Sequence, residues 1–172
     1  MFYQMITNAR NRWLASSDCV IKDLIAYIET TSQMRDAQID AIKTYLFLKI
    51  GCGCLPLSLL FQEGRFNTLD LQTVELSAVS KAYLEDHPGA AALLEYACLK
   101  NDSGEQISKR LEEQLHKDPE AVDYRRFFYD AFYGISYTDY LFSLPMGAGK
   151  TYLMAAFIYL DLYFAVNEPQ NP

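Results

Sequence analysis

Near one end of the chain a glycine-rich turn closes on Lys-Thr: Phe142-Ser143-Leu144-Pro145-Met146-Gly147-Ala148-Gly149-Lys150-Thr151, with an apolar run over 152–166 directly behind it. Few features restrict a fold as much. An apolar segment, a glycine turn and a helix in that order bring backbone N–H groups and a helix N-terminus to one point, which is what a phosphate needs. Gly147 and Gly149 lack a Cβ, so the backbone there can take positive φ and turn its amides together. Lys150 offers a point charge to the β- and γ-phosphates. Thr151 offers its hydroxyl to Mg²⁺ at the first turn of the following helix, whose dipole favours the same negative charge. The expectation is a nucleoside triphosphate site built from Gly147, Ala148, Gly149, Lys150 and Thr151, with the metal reached through Thr151. The full pattern G-x-x-x-x-G-K-[ST] places glycine where this chain has Leu144. Residues 140–144 read as a short buried strand, and Pro145 closes it.

The segment 144–151 resembles motif I of superfamily 2 helicases and translocases, in which the first glycine is often replaced. Upstream, Met34-Arg35-Asp36-Ala37-Gln38-Ile39-Asp40-Ala41-Ile42 is similar to the adenine-recognising segment of the same proteins, an apolar-Arg-x-x-Gln-x-x-Ala-Ile pattern that opens a helix. The pair is most like the DEAD/DEAH-type motor of the R subunits of type III restriction enzymes. The resemblance implies that Arg35 and Gln38 join the nucleotide site, with Gln38 reading adenine. It further implies ATP and Mg²⁺ as cofactors, and DNA as a partner engaged through other parts of the motor. Residues 50–139 separate the two motifs, which usually lie much closer together in those proteins. Such motors carry their metal-binding acidic motif and their γ-phosphate-sensing arginines downstream of motif I. The chain is therefore expected to be the N-terminal part of an ATP-dependent helicase or translocase, binding nucleotide without turnover, and no catalytic residue is assigned. Leu84-Glu85-Asp86-His87 has the letters of an acidic Walker box. It nevertheless precedes the phosphate loop, ends a helix before Pro88 and has no apolar strand to hold it, so it is set aside.

Composition bounds the rest. Among 172 residues, 51% are apolar and 14% aromatic, ample for a core. Lys and Arg number 15 against 22 Asp and Glu, a net charge of −7, which is not the basic footprint of a nucleic-acid clamp. Arg125-Arg126 beside Phe127, Phe128 and Tyr129 reads as an exposed basic pair on a helix with a buried aromatic face. Four scattered cysteines and the lack of a charged, then apolar leader suggest a reduced, cytoplasmic setting. Cys52-Gly53-Cys54 has neither a second cysteine pair nor a nearby histidine, so buried thiols are favoured over a metal.

The periodicity predicts a mainly α chain: a helical domain with one short strand leading into a phosphate loop and a C-terminal helix, the incomplete core of a P-loop NTPase. Helices are expected over about 3–14, 20–28, 33–49, 71–86, 90–100, 105–116 and 118–132. Three blocks follow, with N-terminal helices over 1–50, a helical insert over 51–139 and the start of the NTPase core over 140–172. Asp161 is the one charged residue between 153 and 166. A helix apolar all round calls for burial on nearly every side, against the insert and through possible self-association via 152–166. It is too short for a membrane, which needs about 20 residues. A helical interaction or oligomerisation module with a degenerate phosphate loop is the alternative reading.

Overall fold

The computed structural model describes residues 1–135, 137–144 and 146–167. Nine α-helices are found among them: α1 (Phe2–Ala15), α2 (Lys22–Thr31), α3 (Asp36–Leu46), α4 (Leu57–Gln62), α5 (Ala78–Asp86), α6 (Pro88–Cys98), α7 (Lys109–Lys117), α8 (Tyr124–Ala131) and α9 (Lys150–Asn167). The fold is mainly helical, as the periodicity predicts. The contacts divide it into two compact units: one holds Met1–Arg12 and Leu55–Asp139, the other Trp13–Cys54 and Tyr140–Pro172. The expected N-terminal block is thus shared between them, with most of α1 joining the insert.

The first unit is built around α6. Its sequence, Pro-Gly-Ala-Ala-Ala-Leu-Leu-Glu-Tyr-Ala-Cys, is buried almost all round, and α4, α5, α7 and α8 pack on it. Alanines and a glycine suit that place, because small side chains let neighbouring helices approach on several sides. Gly89 lies against the end of α4 so tightly that a Cβ would meet the Gln62 carbonyl oxygen at 2.1 Å. Glu95 is the buried charge of this helix, and its carboxylate accepts from both the backbone N–H and the hydroxyl of Thr68. Beside α6, Phe61 stacks on Phe128 at 5.2 Å and meets Phe66 edge-on at 4.7 Å, all three fully buried.

Helix boundaries depart from expectation where polar side chains compete for the backbone. The helix expected from 71 starts at Ala78 instead. The Asp70 carboxylate accepts from the Gln72 N–H at 2.9 Å, the Thr73 hydroxyl donates to the Asp70 carbonyl at 2.7 Å, and Ser77 then caps α5 through the Ser80 N–H. Asn101 likewise accepts from the N–H groups of Ser103 and Glu105, so α7 waits for its cap at Ser108. The helix expected over 118–132 splits into a 3₁₀ turn, Pro119–Ala121, and α8, capped by Asp123. Helix α3 ends at Leu46 and widens into a π-turn, Phe47–Gly51, closed by the Cys52 N–H donating to the Phe47 carbonyl at 2.9 Å.

In the second unit α2, α3 and α9 enclose a core of Ile21, Ile25, Ile42, Leu46, Leu153, Leu160 and Phe164. The expected strand over 140–144 is absent. Phe142 and Leu144 turn inward while Leu141 and Ser143 face out, the alternation a strand would show, but among the described residues no strand lies alongside to complete a ladder. Pro145, expected to close that strand, and the tail 168–172, expected as a loop, lie outside the described residues. Helix α9 also departs from expectation, because only Leu153, Leu160 and Phe164 are fully buried on it. Its opposite side exposes Met154, Ile158, Tyr159, Leu162 and Val166.

Gly89→Ala tests the packing of the first unit. The added methyl collides with a backbone carbonyl, which cannot swing aside as a side chain can, so a loss of about 3 kcal/mol is expected. A calorimetric melt would show this as a drop of about 12–15 °C in the transition of that unit.

Candidate functional site: the 147–151 loop and the start of α3

Residues 33–35 run extended into α3, and Gln38, in the first turn, folds its side chain back. Its Oε1 accepts from the Arg35 N–H at 2.8 Å, one half of a capping box, and this satisfies a donor that the helix start leaves unpaired. That bond uses only one end of the amide. The other end, Nε2, donates to the carbonyl of Gly149 at 3.0 Å, and Gln38 is 4% exposed. The Arg35 guanidinium donates in turn to the carbonyl of Gly147. Two side chains from one helix start therefore hold two carbonyls of one loop.

The loop is fixed from its apolar side as well. Leu144 and Ala148 sit in the core of the second unit, while Gly147, Lys150 and Thr151 are exposed. Leu144 stands where the full phosphate-loop pattern has glycine, and here that position is an apolar anchor. Gly147 and Gly149 have φ of +77° and +75°, the left-handed region glycine allows. A Cβ on Gly149 would lie 2.8 Å from Gln38 Nε2, whereas one on Gly147 would meet nothing within 4 Å. Helix α9 opens at Lys150, and both Lys150 and Thr151 in its first turn are exposed.

All seven residues assigned from sequence, Arg35, Gln38, Gly147, Ala148, Gly149, Lys150 and Thr151, fall in the second unit. They divide by role. Gly147 and Gly149 have the positive φ, and Lys150 and Thr151 the exposure, that the sequence expectation calls for. Ala148 can offer only backbone, since its methyl is buried. The residues present thus fit the phosphate part of ATP. Among the described residues, no group of three or more His, Cys, Asp or Glu could hold a metal ion.

A support under the site went unread in the sequence. Asp161, the lone acid of α9, bonds the Tyr45 hydroxyl and lies 3.0 Å from Lys49 Nζ. Tyr45 also packs on Phe157 at 4.5 Å, and Phe142 lies on Phe157 at 5.2 Å. These contacts tie α9 to α3 and the π-turn behind it, and so set the loop between them. A single acid in an otherwise apolar helix was the available clue, because such a group needs a partner.

Other candidates resolve as structure. Glu85 and Asp86 end α5 in the first unit, away in sequence and fold unit from the loop. Arg126 pairs with Asp130 at 2.7 Å, and Arg125 donates to the Tyr124 hydroxyl at 3.3 Å. Burial, then Glu112, pushes the Cys98 thiol up to about 11, which leaves it inert near neutral pH. Among the described residues no disulfide links the cysteines, and no helix is long and apolar enough to cross a membrane. The chain matches no protein-family model, no curated protein and no solved structure.

Tyr45 reports on the support under the loop. Burial first, then the hydrogen bond and charge of Asp161, raise its pKa above the ordinary tyrosine value. A phenol that ionises less readily in the folded chain leaves stability intact below about pH 10 and removes it as the pH climbs further. Thermal melts should hold steady up to that pH and then fall. Tyr45→Phe should flatten the fall without abolishing it, because Tyr140 in the same unit is raised too, chiefly by burial. An unchanged alkaline slope in Tyr45→Phe would refute the role given to this tyrosine.

Proposed function

We propose that this chain is the nucleotide-binding N-terminal part of an ATP-dependent DNA helicase or translocase similar to the R subunit of type III restriction enzymes. The observation that carries the reading is the pair of bonds from Arg35 and Gln38 to Gly147 and Gly149. Two segments that resemble motifs of one superfamily, 111 residues apart, meet in one place. A chance Gly-x-Gly-Lys-Thr has no reason to do so. ATP supplies the triphosphate that Lys150 and the loop amides would hold, with Mg²⁺ bound through Thr151.

The rest of the motor is inferred from the resemblance. A cytoplasmic setting accords with the cysteines. DNA would be engaged by other parts of the motor, since the chain's net charge of −7 does not favour a polyanion. A phosphate loop without a metal-binding carboxylate and a water-positioning group binds without catalysing.

Calorimetric titration with MgATP tests this proposal. Binding is expected to be weak, with no turnover, and Lys150→Ala should reduce it at least about tenfold, or 1.4 kcal/mol. Steady hydrolysis abolished by Lys150→Ala would place the acidic motif inside these 172 residues. Binding indifferent to Lys150→Ala would remove the nucleotide reading.

One observation favours a second reading, an interaction module that self-associates. The outer side of α9 is uncharged, and a groove of about 420 Å³ between α2 and α9, lined by Tyr27, Met34, Tyr152 and Tyr159 among others, continues it. Monomers seldom leave so broad an apolar side in water. On this reading, light scattering at micromolar concentration gives a dimer or larger species, and Ile158→Glu with Leu162→Glu returns it to monomer. A monomeric wild-type chain would exclude it.

A further inference from the structure

We propose that Gln38 acts on the phosphate loop before it acts on any base, so that the site selects for a triphosphate and discriminates little among nucleobases. This inference rests on the nucleotide reading above and widens its ligand class from ATP to triphosphates in general.

The amide of Gln38 has two donors and one oxygen acceptor to place. Its oxygen faces the Arg35 N–H at 2.8 Å, and its nitrogen faces the Gly149 carbonyl at 3.0 Å. Reading adenine in bidentate fashion requires the same oxygen and the same nitrogen to point together at one base edge. Here they point at two different parts of the backbone. The side chain is also 4% exposed and packed so closely that Gly149 has no room for a Cβ beside it, which leaves little freedom to re-aim.

What the contact does to the loop follows from peptide geometry. In a trans peptide the C=O of one residue and the N–H of the next point in opposite directions. Drawing the Gly147 carbonyl toward Arg35 turns the Ala148 N–H away from the start of α3. The Gly149 carbonyl, which also accepts from the Tyr152 and Leu153 N–H groups of α9, is held in the same way by Gln38, and the Lys150 N–H points away from it. Arg35 and Gln38 thereby aim two loop amides toward the exposed side, where Lys150 and Thr151 also lie. Gln38 is a positioning residue for the anion cradle, and its effect should appear even when the ligand has no base.

The test compares MgATP, MgGTP and magnesium tripolyphosphate on the wild-type chain and on Gln38→Met, which keeps the side chain's bulk and removes its polar atoms. Wild type should bind ATP and GTP within about threefold of each other, and Gln38→Met should weaken all three ligands by a similar factor of about five or more. A loss confined to ATP, with tripolyphosphate unaffected, would make Gln38 a base reader and overturn the inference while leaving the nucleotide reading intact. Should no triphosphate bind wild type, the nucleotide reading fails and the selectivity inferred here fails with it, whereas ¹⁵N relaxation of the ligand-free chains tests the Gln38 tether by itself. Order parameters at Gly147–Lys150 should fall from about 0.85 to below about 0.6 in Gln38→Met, and unchanged values would overturn it. Gln38→Glu keeps the acceptor for the Arg35 N–H but cannot donate to Gly149. Loop loosening in that variant too separates the tether from helix capping, and a rigid loop would count against the tether.

Discussion

The hydrogen bond from Gln38 to the Gly149 carbonyl joins positions 111 residues apart, and the second unit is arranged around it. Three local requirements meet there. The start of α3 needs an acceptor for the Arg35 N–H, the loop needs its carbonyls held, and α9 needs an acceptor for its first N–H groups. Glycine at 149 serves the second, since it allows positive φ and admits the amide. The carbonyl of Gly149 also accepts from the Tyr152 and Leu153 N–H groups, so helix, loop and glutamine share one atom. Leu144 and Ala148 fasten the same turn to the apolar core, and Asp161 fastens the helix about three turns further on. The loop is held from its carbonyl side and its side-chain side.

Such a site tolerates a long insertion because nothing in it depends on the intervening chain. The chain leaves the second unit at Cys54 and returns to it at Tyr140. The closure entropy of such an insertion grows only slowly with its length. The inserted unit must then be stable by itself. Helix α6, ringed by four helices, supplies that stability, with the Phe61, Phe66 and Phe128 cluster beside it. The start of α1 contributes Phe2, stacked on Tyr96 at 4.7 Å, which explains why the first dozen residues belong with the insert rather than with the helices that follow them.

Helix existence was legible in the sequence, and helix starts were less so. Apolar periodicity counts residues per turn, which is enough to find α2, α3, α6 and α9. It does not register Asp70, Ser77, Asn101 or Ser108, whose short polar side chains take backbone bonds before a helix can begin. The loop residues were legible because their chemistry is written in residue type: glycine for φ, lysine for charge, threonine for a hydroxyl. The second partners of Gln38 and Asp161 were not, since each lies more than a hundred residues away and no local pattern encodes them.

The segment 140–144 shows most clearly where pattern and structure part. Alternation of buried and exposed side chains is a property of one stretch of chain, whereas a strand is a property of two. Phe142 and Leu144 point inward because Tyr45, Phe157 and the core behind them offer apolar surface, and this suffices to produce the alternation. The backbone groups between them have no neighbouring strand among the described residues. Their side-chain pattern is therefore fixed by the core of α3 and α9 alone, and the extended segment serves here as a strap that delivers the glycine loop to the start of α9.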